Sequence, residues 1–261
     1  MPRIKQSLCY GCYLRGDLTL EKLITSAAEI GFAAVELWGR ENVPFDEIVS
    51  LAKANGLVVA SMSGHGSLPN GMNKPDNHDR IEQELLESIE LAAKHGIPGL
   101  ITFSGNRNEG QSDDEGAEQI AKCLDRVKKT AEAKGVNLNM ELLNSKVNHP
   151  GYQCDHTTFG VKVCEMVNSP RVKLLYDIYH MQIMEGDLIR TIRDNIQHIG
   201  HFHTAGNPDR KDMDEEQEIY YPAVMRGIAR AGFEYYVGHE FSPKGDPIEA
   251  LRAAFKTCDV E

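Results

Sequence analysis

Positive charge is what this chain is short of. Lys and Arg total 28 against 39 Asp and Glu, a formal net charge of −11 at pH 7. A surface of that sign repels polyphosphate unless a local patch reverses it, so nucleic acid is not an expected partner. No apolar run approaches bilayer-spanning length, and Met1 to Ser7 lead into too few apolar residues for a secretory segment. The expectation is a soluble, cytoplasmic protein with no membrane partner. The six cysteines, Cys9, Cys12, Cys123, Cys154, Cys164 and Cys258, show no compact framework, and a chain of 261 residues needs no disulfides, so free thiols are expected. Cys9-x-x-Cys12 is half of a metal or redox motif without its second pair. Also missing are a linker, a low-complexity segment and a shift in composition that would divide the chain.

What is present is a regular alternation. Apolar, β-branched runs at 4–9, 34–38, 58–63, 99–104, 136–142, 172–177, 198–203 and 235–240 read as eight strands. Between and after them, helix-period stretches cover 20–30, 45–54, 81–94, 116–133, 159–167, 187–194, 219–231 and 247–255. Gly31, Gly56, Gly96, Gly135 and Gly232 sit where a helix must stop before the next strand. Eight such units in one chain predict an α/β fold, a single (β/α)8 TIM barrel over 1–261. A doubly wound open sheet is the rival, weakened by the lack of a Gly-rich phosphate fingerprint after the first strand.

Four strands end on residue types that bind hard metal ions: Glu141, Asp177, a histidine of His201-Phe202-His203, and Glu240. One acid at a strand end is ordinary, because turns favour Asp and a wet rim tolerates Glu. Four in chain order would converge on the carboxyl face of a barrel. Alternation places Asn137, Asn139 and Glu141 on one side of their strand and Leu138, Met140 and Leu142 on the other. His198, His201 and His203 fall in one predicted strand, where His201 and His203 share a face; one of the two ligates and the other supports it or meets substrate. His180 follows Asp177 by one turn and aims a donor at a substrate oxygen. Arg210, in a charged loop, offers a guanidinium for a carboxylate or phosphate. Glu141 and Glu240 would flank one ion from opposite walls and serve as a pair of bases. Oxygen and imidazole ligands suit Mg²⁺, Mn²⁺ or Co²⁺, with Zn²⁺ admitted and sulfur not involved. His65, Trp38, Asn106 and Arg107 fall on the same face as substrate-contact candidates, and Cys9 and Tyr10 at its rim.

The segments "ELLNSKVNHPGY", "YDIYHMQIMEGDL" and "NPDR" make a specific pattern. With Glu, Asp, His and Glu in order on strands five to eight, the chain resembles the xylose isomerase-like sugar isomerase and epimerase superfamily over essentially its whole length. The three segments resemble its hydroxypyruvate isomerase branch, whose motifs run E-x-x-N…P-G-Y, Y-D-x-Y-H-x-Q-x-x-E-G-D and P-G-R. The resemblance implies a metal-dependent isomerase of the aldose–ketose type. It also implies Glu141 and Glu240 as acid and base, Glu141, Asp177, His203 and Glu240 as ligands, and His180 and Arg210 on substrate oxygens. There are departures. Hydroxypyruvate isomerases often carry Gln where His203 stands, ketose 3-epimerases carry His, and "KDMDEEQEI" replaces a Gly-rich stretch.

The expected reaction is proton transfer beside a carbonyl, taking hydroxypyruvate to tartronate semialdehyde. The rivals are a ketose 3-epimerase, an abasic-site endonuclease, which the negative charge opposes, and a non-catalytic metal-dependent binding protein. A small hydroxy-keto acid or ketose is the expected ligand, and a homodimer the expected assembly. The acidic loop 211–218 would cover the site or meet a partner subunit.

Overall fold

Strand alternation decides where the core lies. The structure is a computed structural model; it describes residues 4–39 and 43–260, so residues 1–3 of the amino-terminal reading lie outside the described residues. Eight strands form: β1 (Lys5–Cys9), β2 (Ala34–Glu36), β3 (Val58–Ser63), β4 (Gly99–Thr102), β5 (Asn137–Leu142), β6 (Val172–Asp177), β7 (Ile199–Thr204) and β8 (Tyr236–His239). Each pairs in parallel with its neighbours in sequence, and β8 pairs with β1, closing the barrel. The expected TIM barrel is the fold.

The helices are α1 (Tyr10–Tyr13), α2 (Leu20–Ile30), α3 (Phe45–Ala54), α4 (His78–His95), α5 (Asp113–Asp125), α6 (Lys128–Lys134), α7 (Thr157–Val167), α8 (Ile178–Met184), α9 (Leu188–Asn195), α10 (Tyr221–Arg230) and α11 (Pro247–Cys258). Their buried stripes, with Leu23 and Ile24 on α2, Ile89 on α4, Val163 on α7 and Leu251 on α11, pack on Leu8, Val35, Leu138, Met140, Leu142 and Val237 of the strands. This apolar layer lies between sheet and helices. The opposite strand face is polar and equally buried: Ser7, Glu36, Asn139, Glu141, Asp177, His201 and His203 are each at most 6% exposed. Burial of polar groups needs partners, and those partners build the site.

The glycine punctuation has a mechanical reason at the helix ends. Gly31 closes α2 at φ 115° and its N–H reaches back to Ala27 and Ala28, a left-handed cap that side chains with a Cβ resist. Gly96 and Gly135 close α4 and α6 in the same way.

The elements depart from the sequence reading in three places. The helix expected over 116–133 is two helices, because Arg126 and Val127 bond three residues back, to Cys123 and Leu124, and tighten the chain out of register. α8 was not expected: Ile178, Tyr179, His180, Met181 and Met184 are all buried, so it carries no amphipathic stripe. His198 lies in a 3₁₀ turn, Ile196–His198, rather than in the strand that begins at Ile199. All six cysteines are free. Among the described residues no helix is long and apolar enough to cross a membrane.

Candidate active site

The carboxyl ends of β5 to β8 meet inside the barrel mouth. Glu141 of β5, Asp177 at the end of β6, His203 of β7 and Glu240 just beyond β8 each present a ligand-type atom, and these atoms lie within 4.8 Å of one another. All four residues are buried, at 6%, 1%, 0% and 7% exposure. His203 Nδ1 stands 3.6 Å from Glu141 Oε1 and 3.3 Å from Glu240 Oε2.

Three carboxylates so close repel one another in a dry site. Burial pushes the Glu141 carboxyl above its usual range, and the nearby Glu240 charge adds to the rise. Asp177 rises for the same reason, burial first, with Arg210 pulling the other way. Burial acts upward on Glu240 too, but Arg210 and His203 outweigh it and hold Glu240 well below the carboxylate range. The same negative field overcomes burial at His203 and raises its pKa, with Glu240 the leading charge. The cluster is short of positive charge.

Whether a cation suits these residues can be judged from their unpaired atoms. His203 Nδ1, Asp177 Oδ2 and His180 Nε2 are buried and make no hydrogen bond, although native interiors rarely leave such atoms unmatched. All three belong to the cluster or touch it, His180 Nε2 lying 3.8 Å from Asp177 Oδ2. Carboxylate and imidazole donors in this number fit a divalent ion of the Mg²⁺, Mn²⁺ or Co²⁺ kind.

The surroundings hold the cluster in place. Asp177 caps α8, its Oδ1 accepting from the His180 N–H at 3.0 Å, which puts His180 in the first turn beside the cluster. Asn144 Nδ2 meets His180 Nδ1 at 2.5 Å, and its Oδ1 accepts from the Val147 and Asn148 N–H groups. An amide that donates to Nδ1 leaves the His180 proton on Nε2, facing the site. Burial and the Arg210 charge hold His180 well below the usual histidine range, so it is neutral.

Arg210 bonds Glu240 Oε2 through Nη2, and its guanidinium lies 5.8 Å over the Tyr179 ring. Trp38 Nε1 donates to the other Glu240 oxygen at 2.6 Å. Above the cluster opens a cavity of about 320 Å³ whose lining includes Trp38, His65, Phe103, His149, Arg210 and Glu240. That is the small end of the usual range for ligand pockets, roughly 300–1,000 Å³.

Other candidates have different fates. His65 lines the cavity but spends both ring nitrogens on backbone, accepting from the Phe103 N–H just after β4 at 2.9 Å and donating to Gly66 O at 3.0 Å. Burial lowers its pKa to about 4, so it is a neutral wall. Asn106 is not brought to the cavity: its backbone bridges to Tyr152 and its carbonyl accepts from Asn73. Arg107 pairs with Asp113 and Asp155 instead. In the acidic loop, Lys244 ties Asp214 and Glu216 to the segment after β8.

One group was missed in the sequence. Glu36 ends β2 with an exposure of 1% and binds Ser7 Oγ, His201 Nε2 (3.0 Å) and His203 Nε2 (3.1 Å). Cys9 Sγ lies 3.8 Å from His203 Nε2. Sulfur, not expected among the ligands, does come close: the Cys9 thiol touches the His203 ring nitrogen that faces away from the four-residue cluster. The signal for Glu36 was an acid closing "FAAVEL", the same cue as at Glu141, Asp177 and Glu240.

The profile of the xylose isomerase-like TIM barrel matches residues 24–258. The chain belongs to that family. Within the xylose isomerase-like barrels it is similar to a Pectobacterium atrosepticum protein named 2-oxo-tetronate isomerase, 25% identical over 231 residues, 87% of each chain. A Mus musculus protein provisionally named hydroxypyruvate isomerase is 27% identical over 244 residues, 89% of this chain and 87% of that protein. Among solved structures, a Brucella melitensis protein titled AP endonuclease, family 2, superposes with a TM-score of 0.80 at 25% identity. The match covers 96% of this chain and 97% of that one.

Proposed function

We propose that this xylose isomerase-like barrel acts as one catalytic domain, a divalent-cation-dependent isomerase of small 2-oxo acids such as hydroxypyruvate or a 2-oxo-tetronate. The observation that carries the reading is the set of Glu141, Asp177, His203 and Glu240 beneath a single guanidinium, Arg210. The names of the two relatives support the same substrate class.

Glu141, Asp177, His203 and Glu240 would hold the cation. When bound, it supplies positive charge beside the carbonyl and hydroxyl oxygens, where an enediolate builds up negative charge. Arg210 has donors beyond the one on Glu240, and its planar fork suits the substrate carboxylate. The neutral His180 gives its Nε2–H to a substrate oxygen. Glu141 and Glu240, on different walls, form the acid–base pair. One removes a proton from C3 of hydroxypyruvate, the other delivers one to C2, and the hydroxyl proton passes from O3 to O2, giving tartronate semialdehyde.

A 3-epimerase of free ketoses is the second reading, favoured by histidine at position 203 and by a cavity larger than a three-carbon acid needs. An abasic-site nuclease fits less well, since among the described residues Arg210 is the one Lys or Arg that lines the main cavity and the net charge is −11.

Proton NMR in deuterated water, with metal-stripped protein resupplied with Mg²⁺, tests the proposal. Enzyme-dependent exchange at C3 of hydroxypyruvate, with growth of the aldehyde, or at C3 of a 2-oxo-tetronate, with growth of its 3-oxo isomer, is the expected result. Exchange confined to C3 of ketoses selects the epimerase, and silence on every substrate discards both.

The His180 assignment has its own check. Asn144→Asp keeps the acceptor for Val147 and Asn148 but offers no N–H to His180, whose proton then moves to Nδ1. The expected result is a fall in kcat/KM on the order of tenfold, the worth of about one hydrogen bond, with a lower melting temperature because Asn144 Nδ2 also donates to Asn148 Oδ1. Unchanged kinetics would separate His180 from the substrate.

A further inference from the structure

We infer that Glu36 is a positioning residue for the candidate cation centre: by accepting the Nε2 hydrogen of His203 it directs the Nδ1 lone pair at Glu141, Asp177 and Glu240. The inference rests on the cation reading above and adds to it a residue that neither the four ligands nor the motifs include.

The chemistry leaves little freedom. An ionised carboxylate only accepts hydrogen bonds. Glu36 is 1% exposed, and its polar partners are the Ser7 hydroxyl, the imidazoles of His201 and His203 at 3.0 and 3.1 Å, and the Cys9 thiol at 3.9 Å. Among the described residues no Lys or Arg is one of them. A His203 ring with its proton on Nδ1 would point the Nε2 lone pair at the Glu36 lone pairs inside a dry barrel. The proton therefore sits on Nε2, and Nδ1, which makes no hydrogen bond, is left as the donor to an ion.

The backbone is shaped for this contact. At Gly238 on β8, an added Cβ would overlap Glu36 Oε1 and lie 3.0 Å from His203 Cδ2. The missing side chain is what lets the carboxylate reach across the barrel to the ring. His201, edge-on to His203 with ring centroids 5.2 Å apart, shares the same Glu36 oxygen and fixes the carboxylate from a second side. Metal-bound histidines generally hand their other N–H to a carboxylate or carbonyl, and loss of that acceptor typically weakens metal binding about 10–100-fold.

The test uses the full chain, metal-stripped, as wild type, Glu36→Ala and Glu36→Gln. Nitrogen-15 NMR of the imidazoles reads the His203 tautomer without metal, at a pH high enough to leave the ring neutral against the raising field of the cluster, Co²⁺ titration by visible absorption reads affinity, and melting of the stripped protein reports the fold. Wild type should show the Nε2–H form. Glu36→Ala should mix the two tautomers and bind Co²⁺ about 10–100-fold more weakly. Glu36→Gln, which keeps an acceptor but no charge, should restore the tautomer and recover part of the affinity. If the Ala variant does not fold, the Gln variant decides alone, through weaker Co²⁺ binding at an unshifted melting temperature. Wild-type affinity in folded variants, or an Nδ1–H tautomer in the wild type, overturns the inference. So does a thiolate-to-cobalt band in the near ultraviolet, which would place the ion on the Cys9 side of the ring. A wild type that takes up no Co²⁺ removes the cation reading, and the tautomer of the stripped protein still decides what Glu36 does.

Discussion

Glu141→Gln is expected to lower kcat by about 10²–10⁴-fold, the usual contribution of a positioned general acid or base, while the fold survives. Its side chain gives and takes little: His203 Nδ1 stands 3.6 Å away, and the Tyr152 hydroxyl anchors its backbone carbonyl rather than its carboxylate. Glu240→Gln should lose as much turnover for an additional reason. Both Glu240 oxygens are occupied by donors, Trp38 Nε1–H and Arg210 Nη2, and an amide must turn its NH₂ toward one of them. The unmatched donor pair costs about 1–3 kcal/mol, so this variant should also melt earlier and bind substrate less tightly. Solvent-exchange NMR together with thermal melts checks both. Near-normal turnover in either variant removes the two-base mechanism.

The second large effect concerns Asp177, which has two separable jobs. Oδ1 caps α8 through the His180 N–H at 3.0 Å, and Oδ2 is buried without a partner. Asparagine caps helices as well as aspartate does, whereas alanine loses about 1 kcal/mol at such a position. Asp177→Asn should therefore melt near the wild-type temperature without metal, and Asp177→Ala should melt lower. Both should lose cation affinity by more than the roughly 10–100-fold that follows loss of a supporting contact, and activity with it. Calorimetric titration with Mn²⁺ and melts in chelator separate the two effects. Asp177→Asn binding Mn²⁺ like the wild type would exclude Asp177 from the centre.

The barrel was legible because its signals are local and repeated. Each βα unit carries an apolar run, an amphipathic stretch and a glycine stop, and a one-residue slip in any strand would turn its polar set into the apolar layer. The four-residue cluster was legible for a related reason: strand ends share one face in a parallel barrel, so chain order converts directly into proximity. α8 left no trace because a short helix that buries Ile178, Tyr179, His180, Met181 and Met184 shows no apolar stripe to detect. Asn106 and His65 were read from their place on loops, and loop position does not say whether a side chain faces the cavity or ties its own backbone. Glu36 failed differently. Its cue was present, but its value depends on His201, His203 and Gly238, which are far away in sequence, and only closure of the sheet brings them to it.

Trp38 is half-exposed at the cavity mouth, and it is the only tryptophan in the sequence. With its indole N–H on a Glu240 oxygen, the chain carries a built-in optical probe at one point. All tryptophan emission comes from a ring bonded to a proposed base, so whatever withdraws Glu240 from the indole changes the colour or yield of that light. Occupancy can be followed by fluorescence in the unmodified protein, without a dye and without knowing in advance what the occupant is.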